Sequence, residues 1–285
     1  MQYTTLIELE DAAAHLEDEG WLFVDCRFVL GQPQAGRAAY LEAHVPGAVY
    51  ADLEADLSGQ VVPGQTGRHP LPSEADFDAT MSRLGVWAGT QVVAYDEQTG
   101  AMAAARLWWL LKWAGHDTVA VLDGGFEAWR AAGLPVAAGW QQRPPARFEG
   151  RYRPGMAASA EDLLSAASSP PVLLVDARAA DRYRGENESM DPVAGHIPGA
   201  ISLPYPGNLG RDGRFLPADE LRARYESATD SADPESTVFY CGSGVTAAHS
   251  VLAYAHAGLG VPKLYPGSWS EWITDPARPV ETRDS

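Results

Sequence analysis

The segment Val238-Phe-Tyr-Cys241-Gly-Ser-Gly-Val-Thr246-Ala-Ala-His-Ser concentrates the residues best suited to chemistry. An apolar run ends at Tyr240, a glycine-rich loop follows, and a helical pattern begins near Thr246. This predicts strand, loop and helix, with Cys241 at the carboxyl end of the strand, where open α/β sheets place their ligands. Gly242 and Gly244 permit backbone conformations that turn successive N–H groups inward, a nest for an anion. The start of the helix adds partial positive charge. Both effects favour a thiolate over a thiol, so Cys241 reads as a nucleophile. Such a thiolate, expected to be exposed, should also be the first site of oxidation. The other cysteine, Cys26, reads as a small buried apolar residue.

The elements that position this loop occur twice. Trp21-Leu-Phe-Val-Asp25-Cys-Arg27 answers Val172-Leu-Leu-Val-Asp176-Ala-Arg178. Ala43-His44-Val-Pro46-Gly47-Ala48 answers Gly195-His196-Ile-Pro198-Gly199-Ala200. Val92-Val-Ala-Tyr95-Asp96 answers Val238-Phe-Tyr240-Cys241, and Val121-Leu-Asp-Gly124-Gly-Phe-Glu-Ala-Trp129 answers Leu264-Tyr-Pro-Gly267-Ser-Trp-Ser-Glu-Trp272. Ordered matches at nearly one offset imply a duplicated domain, with a period far too long for a solenoid. The apolar runs (Leu22–Val24, Gln91–Tyr95, Thr118–Leu122; Val172–Val175, Thr237–Tyr240, Lys263–Leu264) lack alternation, as expected of strands buried on both faces of a parallel sheet. Helical patterns such as Ala101–Ala114 and Thr246–Ala257 lie between them, so each half reads as α/β with helices on both faces. The first domain is placed at residues 1–138 and the second at 156–285. The Pro-rich stretch 139–155 reads as an ordered linker anchored by Trp140 and Phe148. Asp96 stands where the second half has Cys241, so only the second half carries the nucleophile. Cys26 answers Ala177, which agrees with an inert thiol. His44 and His196 are kept in both halves and read as structural.

Composition narrows the function. The chain has 285 residues and a formal net charge of −17. That acidity argues against nucleic acid or an anionic membrane as partner. The acidic residues 8–19 read as a solvated helix face. The first residues lack the basic and apolar regions of a secretory signal, and no apolar run is long enough for a membrane span. Two cysteines exclude a disulfide framework and suit a reducing compartment, so a cytoplasmic location is expected. Trp108, Trp109 and Trp113, at near-helical spacing, read as packing residues. A Cys-x5-Arg phosphatase is disfavoured, because position 247 is alanine and the loop holds no cation.

Together these segments, with Gly67-Arg-His-Pro-Leu-Pro72, resemble tandem rhodanese-type sulfurtransferases over nearly the whole chain. The resemblance implies two similar α/β domains, with the catalytic cysteine in the second. It implies a two-step transfer through a Cys241 persulfide to a thiol, thioredoxin-like or cyanide acceptor, with no metal and no organic cofactor. The loop Cys-Gly-Ser-Gly-Val-Thr is similar to that of members that take sulfur from 3-mercaptopyruvate and release pyruvate. Thiosulfate, or relay to a protein acceptor, is the alternative. By the same resemblance Ser243, His69 and Glu54 form a proton relay, Asp52 being the competitor for the acidic position. Arg182 holds the donor's anionic end, with Asp176 orienting it, and Gly242, Gly244, Val245 and Thr246 line the donor site. A second arginine usual in mercaptopyruvate enzymes is missing from 185–192. Arg184 or Arg178 would have to replace it.

Overall fold

The computed structural model describes residues 2–166 and 172–282, which form two compact units. The first has a five-stranded parallel sheet of order β1-β5-β4-β2-β3. Its strands are β1 (Leu6–Ile7), β2 (Trp21–Asp25), β3 (Val49–Tyr50), β4 (Gln91–Tyr95) and β5 (Val119–Leu122). Its helices are α1 (Leu9–Ala13), α2 (Ala35–Glu42), α3 (Glu74–Leu84), α4 (Ala103–Trp113) and α5 (Gly125–Ala131). The second unit has a four-stranded parallel sheet of order β7-β6-β8-β9, with β6 (Leu173–Asp176), β7 (Ile201–Ser202), β8 (Thr237–Tyr240) and β9 (Lys263–Leu264). Its helices are α6 (Ala160–Ala166), α7 (Ala180–Tyr183), α8 (Ala218–Thr229), α9 (Thr246–His256) and α10 (Ser268–Trp272).

Every residue of β4, β5 and β8 is buried, which explains why their sequences do not alternate between apolar and polar. The helix α4 is buried on all sides, tryptophans included, so all but Arg106 and Lys112 of its residues are apolar. The acidic N-terminal stretch forms only a five-residue helix, with Leu9 and Ala12 turned inward. The two-residue strands β1, β3 and β7 carry too little pattern to be read from sequence.

The duplication extends to side chains. Arg27 makes a forked ion pair with Asp25, and Arg178 makes the same pair with Asp176. The same Nη2 of each also donates to the carbonyl of the residue before the repeated histidine, Ala43 or Gly195. His44 stacks on Tyr40, and His196 on Tyr183; each Nδ1 lies 2.8 Å from that tyrosine's carbonyl oxygen. Both histidines are fully buried structural residues.

The units are not contiguous in sequence. The first comprises residues up to Gly59, Pro72–Arg153 and Gly210–Phe215; the second comprises Gln60–Leu71, Pro154–Leu209 and Leu216 onward. Boundaries drawn at 138 and 156 therefore miss two exchanged segments. The stretch read as a linker packs with the first unit as far as Arg153. Phe148 is buried edge-on to Phe77, whereas Trp140 is exposed and meets Tyr40 only by its edge.

One exchanged segment makes a pH-dependent contact. The Phe215 N–H donates to Asp123 Oδ1 at 3.0 Å. Burial, with the Glu8 charge nearby, outweighs that bond and pushes the Asp123 carboxyl from 3.8 up to about 6. A carboxyl raised on folding opposes the folded state once ionised. The penalty is absent below pH 4 and complete above pH 6. Asp123→Asn keeps an acceptor oxygen and removes the charge. It should stabilise the protein by on the order of 1–3 kcal/mol at pH 8 and not at pH 4. Urea unfolding at both pH values checks this; an equal effect at both would refute it.

Candidate active site

Strand β8 ends beside β6, with Tyr240 in register with Asp176, so Cys241 leaves the sheet at its carboxyl edge. The loop carbonyls are taken up by α10. The Trp269 N–H donates to the Cys241 carbonyl at 3.0 Å, and the Ser270 N–H to the Gly242 carbonyl at 2.9 Å. Because C=O and N–H of a trans peptide point in opposite directions, the N–H groups of Gly242 and Ser243 face away from α10. The Cys241 N–H is held by Ser268 Oγ at 3.1 Å. Ser268 sits at φ 54, an unusual conformation for a non-glycine residue, with its hydroxyl donating to the Tyr265 carbonyl. Val245 then caps α9 and Thr246 opens it, aiming an eleven-residue helix dipole at the loop.

The two loop glycines serve different ends. Gly244 has φ +74, and a Cβ there would lie 2.3 Å from the Pro266 carbonyl oxygen. Gly242 needs no positive φ. A Cβ on it would instead meet Arg68 Nη2 at 2.8 Å.

Arg68 belongs to the strap Gln60–Leu71. The strap is pinned where Gly67 passes against Gly267 and Ser270, and where the Arg68 N–H donates to Ser270 Oγ at 3.1 Å. The next residue, His69, is buried, with Nδ1 2.9 Å from Ser243 Oγ. The structure thus brings Cys241, Ser243 and His69 together. Glu54 is exposed in the first unit, its N–H donating to Asp52 Oδ1. The Asp52 carboxylate is engaged locally by Glu54, Ala55 and Tyr50.

The arginines differ from expectation. Asp176 does not orient Arg182; it is occupied by Arg178, two residues on, whose side chain is wholly buried and cannot reach out to a donor. Arg184 pairs with Glu186 at the surface. Arg182 is held by Glu188, at 3.0 Å to Nε and 2.9 Å to Nη2, and by Asp191 at 3.0 Å. Burial works against the Glu188 charge, but the N–H of Met190 and the Arg182 fork prevail and its carboxyl lies below the usual range. The second guanidinium over the loop is Arg68. Its Nη2 and Arg182 Nη1 both approach Gly242. Sequence reasoning missed it because its anchor, Asp191, is 123 residues away.

Cys241 is also not exposed as expected: only 2% of its surface is accessible. Cys26 is fully buried, and burial, reinforced by the charges of Asp25 and Asp96, pushes its thiol well above the usual range. In the first unit's loop, burial outweighs the backbone hydrogen bonds and raises the Asp96 carboxyl above its usual range. The N–H groups of Gly100 and Met102 donate to the Asp96 carboxylate at 2.8 and 3.0 Å. That nest is filled from within.

Known proteins share this fold. The rhodanese-like domain matches twice, at residues 8–132 and 159–275. The chain belongs to the rhodanese family. A Pseudomonas aeruginosa protein named "Probable 3-mercaptopyruvate sulfurtransferase" is 47% identical over 285 residues, covering 100% of both chains. A Mycobacterium tuberculosis relative named for thiosulfate sulfurtransferase is 44% identical over 260 residues, covering 90% of this chain and 89% of its own. The crystal structure of the Escherichia coli 3-mercaptopyruvate sulfurtransferase superposes with a TM-score of 0.81 at 33% identity, covering 94% of this chain and 100% of that one. Two duplicated rhodanese domains and sulfurtransferase activity follow for this enzyme. Rhodanese members need a small sulfur donor and an acceptor, and the described residues contain no helix long and apolar enough to cross a membrane.

Proposed function

We propose that this enzyme moves sulfane sulfur from 3-mercaptopyruvate, through a Cys241 persulfide, to a thiol or cyanide. The Cys241 thiolate attacks the donor sulfur. An S–S bond forms, the C–S bond breaks, and its electron pair passes to the donor's methylene carbon as an enolate. The proton of the donor thiol ends on that carbon, giving pyruvate and the persulfide anion. The acceptor thiolate or cyanide then attacks the outer sulfur, and Cys241 leaves as thiolate. The N–H groups of Val245 and Ala247 correspond by the repeat to those of Gly100 and Met102, and they are the donors we assign to an anion on Cys241. No cofactor is required by this chemistry.

The observation that carries the reading is the Ser243–His69 pair. A leaving enolate needs a proton carrier at its keto group and carbon, and a hydroxyl hydrogen-bonded to an imidazole can supply one. Sulfite leaving from thiosulfate needs no proton at carbon. Arg68 and Arg182 receive the donor carboxylate beside Gly242, a planar group suited to two guanidinium forks. Glu54 keeps the acidic place in the relay on the motif alone. Both cysteines are free, and a persulfide cycle suits the cytoplasm. A thioredoxin-like or other protein acceptor fits the same second step. The second reading, thiosulfate as donor, is favoured by the name of the Mycobacterium tuberculosis relative.

Measuring kcat/KM for both donors with cyanide separates them. Mercaptopyruvate should win by about tenfold or more, roughly 1.4 kcal/mol of transition-state preference. A win for thiosulfate would refute the reading.

A further inference from the structure

Residues 188–191 place two carboxylates where a donor site has most use for cations. The side chains of Glu188 and Asp191 are only 3% and 2% exposed. Asp191 bridges the two arginines over the loop: Oδ1 accepts from Arg68 Nη1, and Oδ2 from Arg182 Nη2. Glu188 accepts from Arg182 and lies 3.5 Å from Arg178. Arg178 is itself paired with Asp176. Three guanidinium groups and three carboxylates thus share one cluster, whose formal charge is zero.

Such a bridge has two consequences. It fixes Arg68 and Arg182 relative to each other, leaving Arg68 Nη2 and Arg182 Nη1 toward Gly242 for a donor. It also cancels charge that a more anionic donor would need. A monocarboxylate can complete the remaining hydrogen bonds. A dianion would set its second charge against two buried carboxylates, with no uncompensated cation in return.

On the proposed assignment of the Cys241 loop as the donor site, we infer that Asp191 determines donor specificity, preorganising the Arg68–Arg182 pair for a monocarboxylate and disfavouring dianions. The motif that lacks a second arginine is a device that sets the charge of the site. Asp191 touches no reacting atom in this scheme; it acts through the two arginines.

The test compares Asp191→Asn, Asp191→Glu and Arg68→Gln in the full-length enzyme. The readout is the kcat/KM ratio of thiosulfate over 3-mercaptopyruvate, with cyanide as acceptor. Asp191→Asn should raise the ratio about tenfold or more, and Asp191→Glu, which keeps the charge, should restore it to near wild type. Arg68→Gln should lower it, because Asp191 then faces Arg182 alone; this variant carries the opposite sign should the asparagine protein not fold. An unchanged or lowered ratio in the asparagine variant overturns the inference, as does an equal shift with glutamate. A second assay does not depend on turnover: protection of Cys241 from iodoacetamide by sulfate and by pyruvate. Asp191→Asn should strengthen protection by sulfate about tenfold more than protection by pyruvate. Equal changes, or no protection by either anion, overturn it. If the wild type turns over neither donor, the proposed function fails, and this assay alone decides the role of Asp191.

Discussion

Exchanging Cys241 for serine should lower kcat/KM by roughly a thousandfold or more with every sulfur donor. A serine hydroxyl is a far weaker nucleophile than sulfur, and oxygen cannot form the persulfide. The loop itself should survive. Its carbonyls are held by Trp269 and Ser270, and its main-chain N–H by Ser268, with no part played by sulfur. The same variant reports which thiol is reactive. Iodoacetamide should label the wild type once, at Cys241, and leave Cys241→Ser unlabelled. Cys26 is fully buried and its thiol is pushed up by that burial and by the charge of Asp25. Mass mapping of the labelled peptide checks this. Labelling at Cys26, or activity retained by the serine variant, would remove Cys241 from the chemistry.

Arg182→Lys has the second largest expected effect. Lysine keeps the charge and loses the fork, so it cannot hold Glu188 through two nitrogens and also meet Asp191. We expect kcat/KM for 3-mercaptopyruvate to fall by about a hundredfold, mostly through KM, because a buried carboxylate left half-paired costs about 2–5 kcal/mol. The KM against kcat division is the informative readout. A loss confined to kcat would place Arg182 in proton transfer or sulfur attack and not in donor binding. A loss below about threefold would make it a surface ion pair.

What the sequence made legible was local. Cys241, its glycines and the start of α9 are contiguous, so their chemistry could be read from a dozen residues. The two-domain α/β fold was legible because a repeat compares a chain with itself. The failures lay in side-chain geometry, most of it long-range. Pairing Asp176 with Arg182 overlooked the i, i+2 geometry at a strand exit, which gives Asp176 to Arg178 as it gives Asp25 to Arg27. Arg68 carried no signal, since its partners are Asp191 and Ser270. Cys241 was expected to be exposed because loops at sheet edges usually are. The strap Gln60–Leu71, drawn from the first half of the sequence, lies against that loop through Arg68 and His69. Glu54 belongs to the first unit, and the family resemblance is what supports its assignment.

The strap bears on whether the duplicated halves can still part company. The first half carries Asp96 where the second has Cys241, so its own loop offers no thiol to keep it in place. Here a deletion would also remove Arg68 and His69, which fold with the second unit. A fragment beginning at residue 156 would hold the Cys241 loop but neither the guanidinium beside Gly242 nor the imidazole paired with Ser243. The first half of the sequence thus supplies parts of the second unit, and the repeat boundary is not a line along which the chain can be cut.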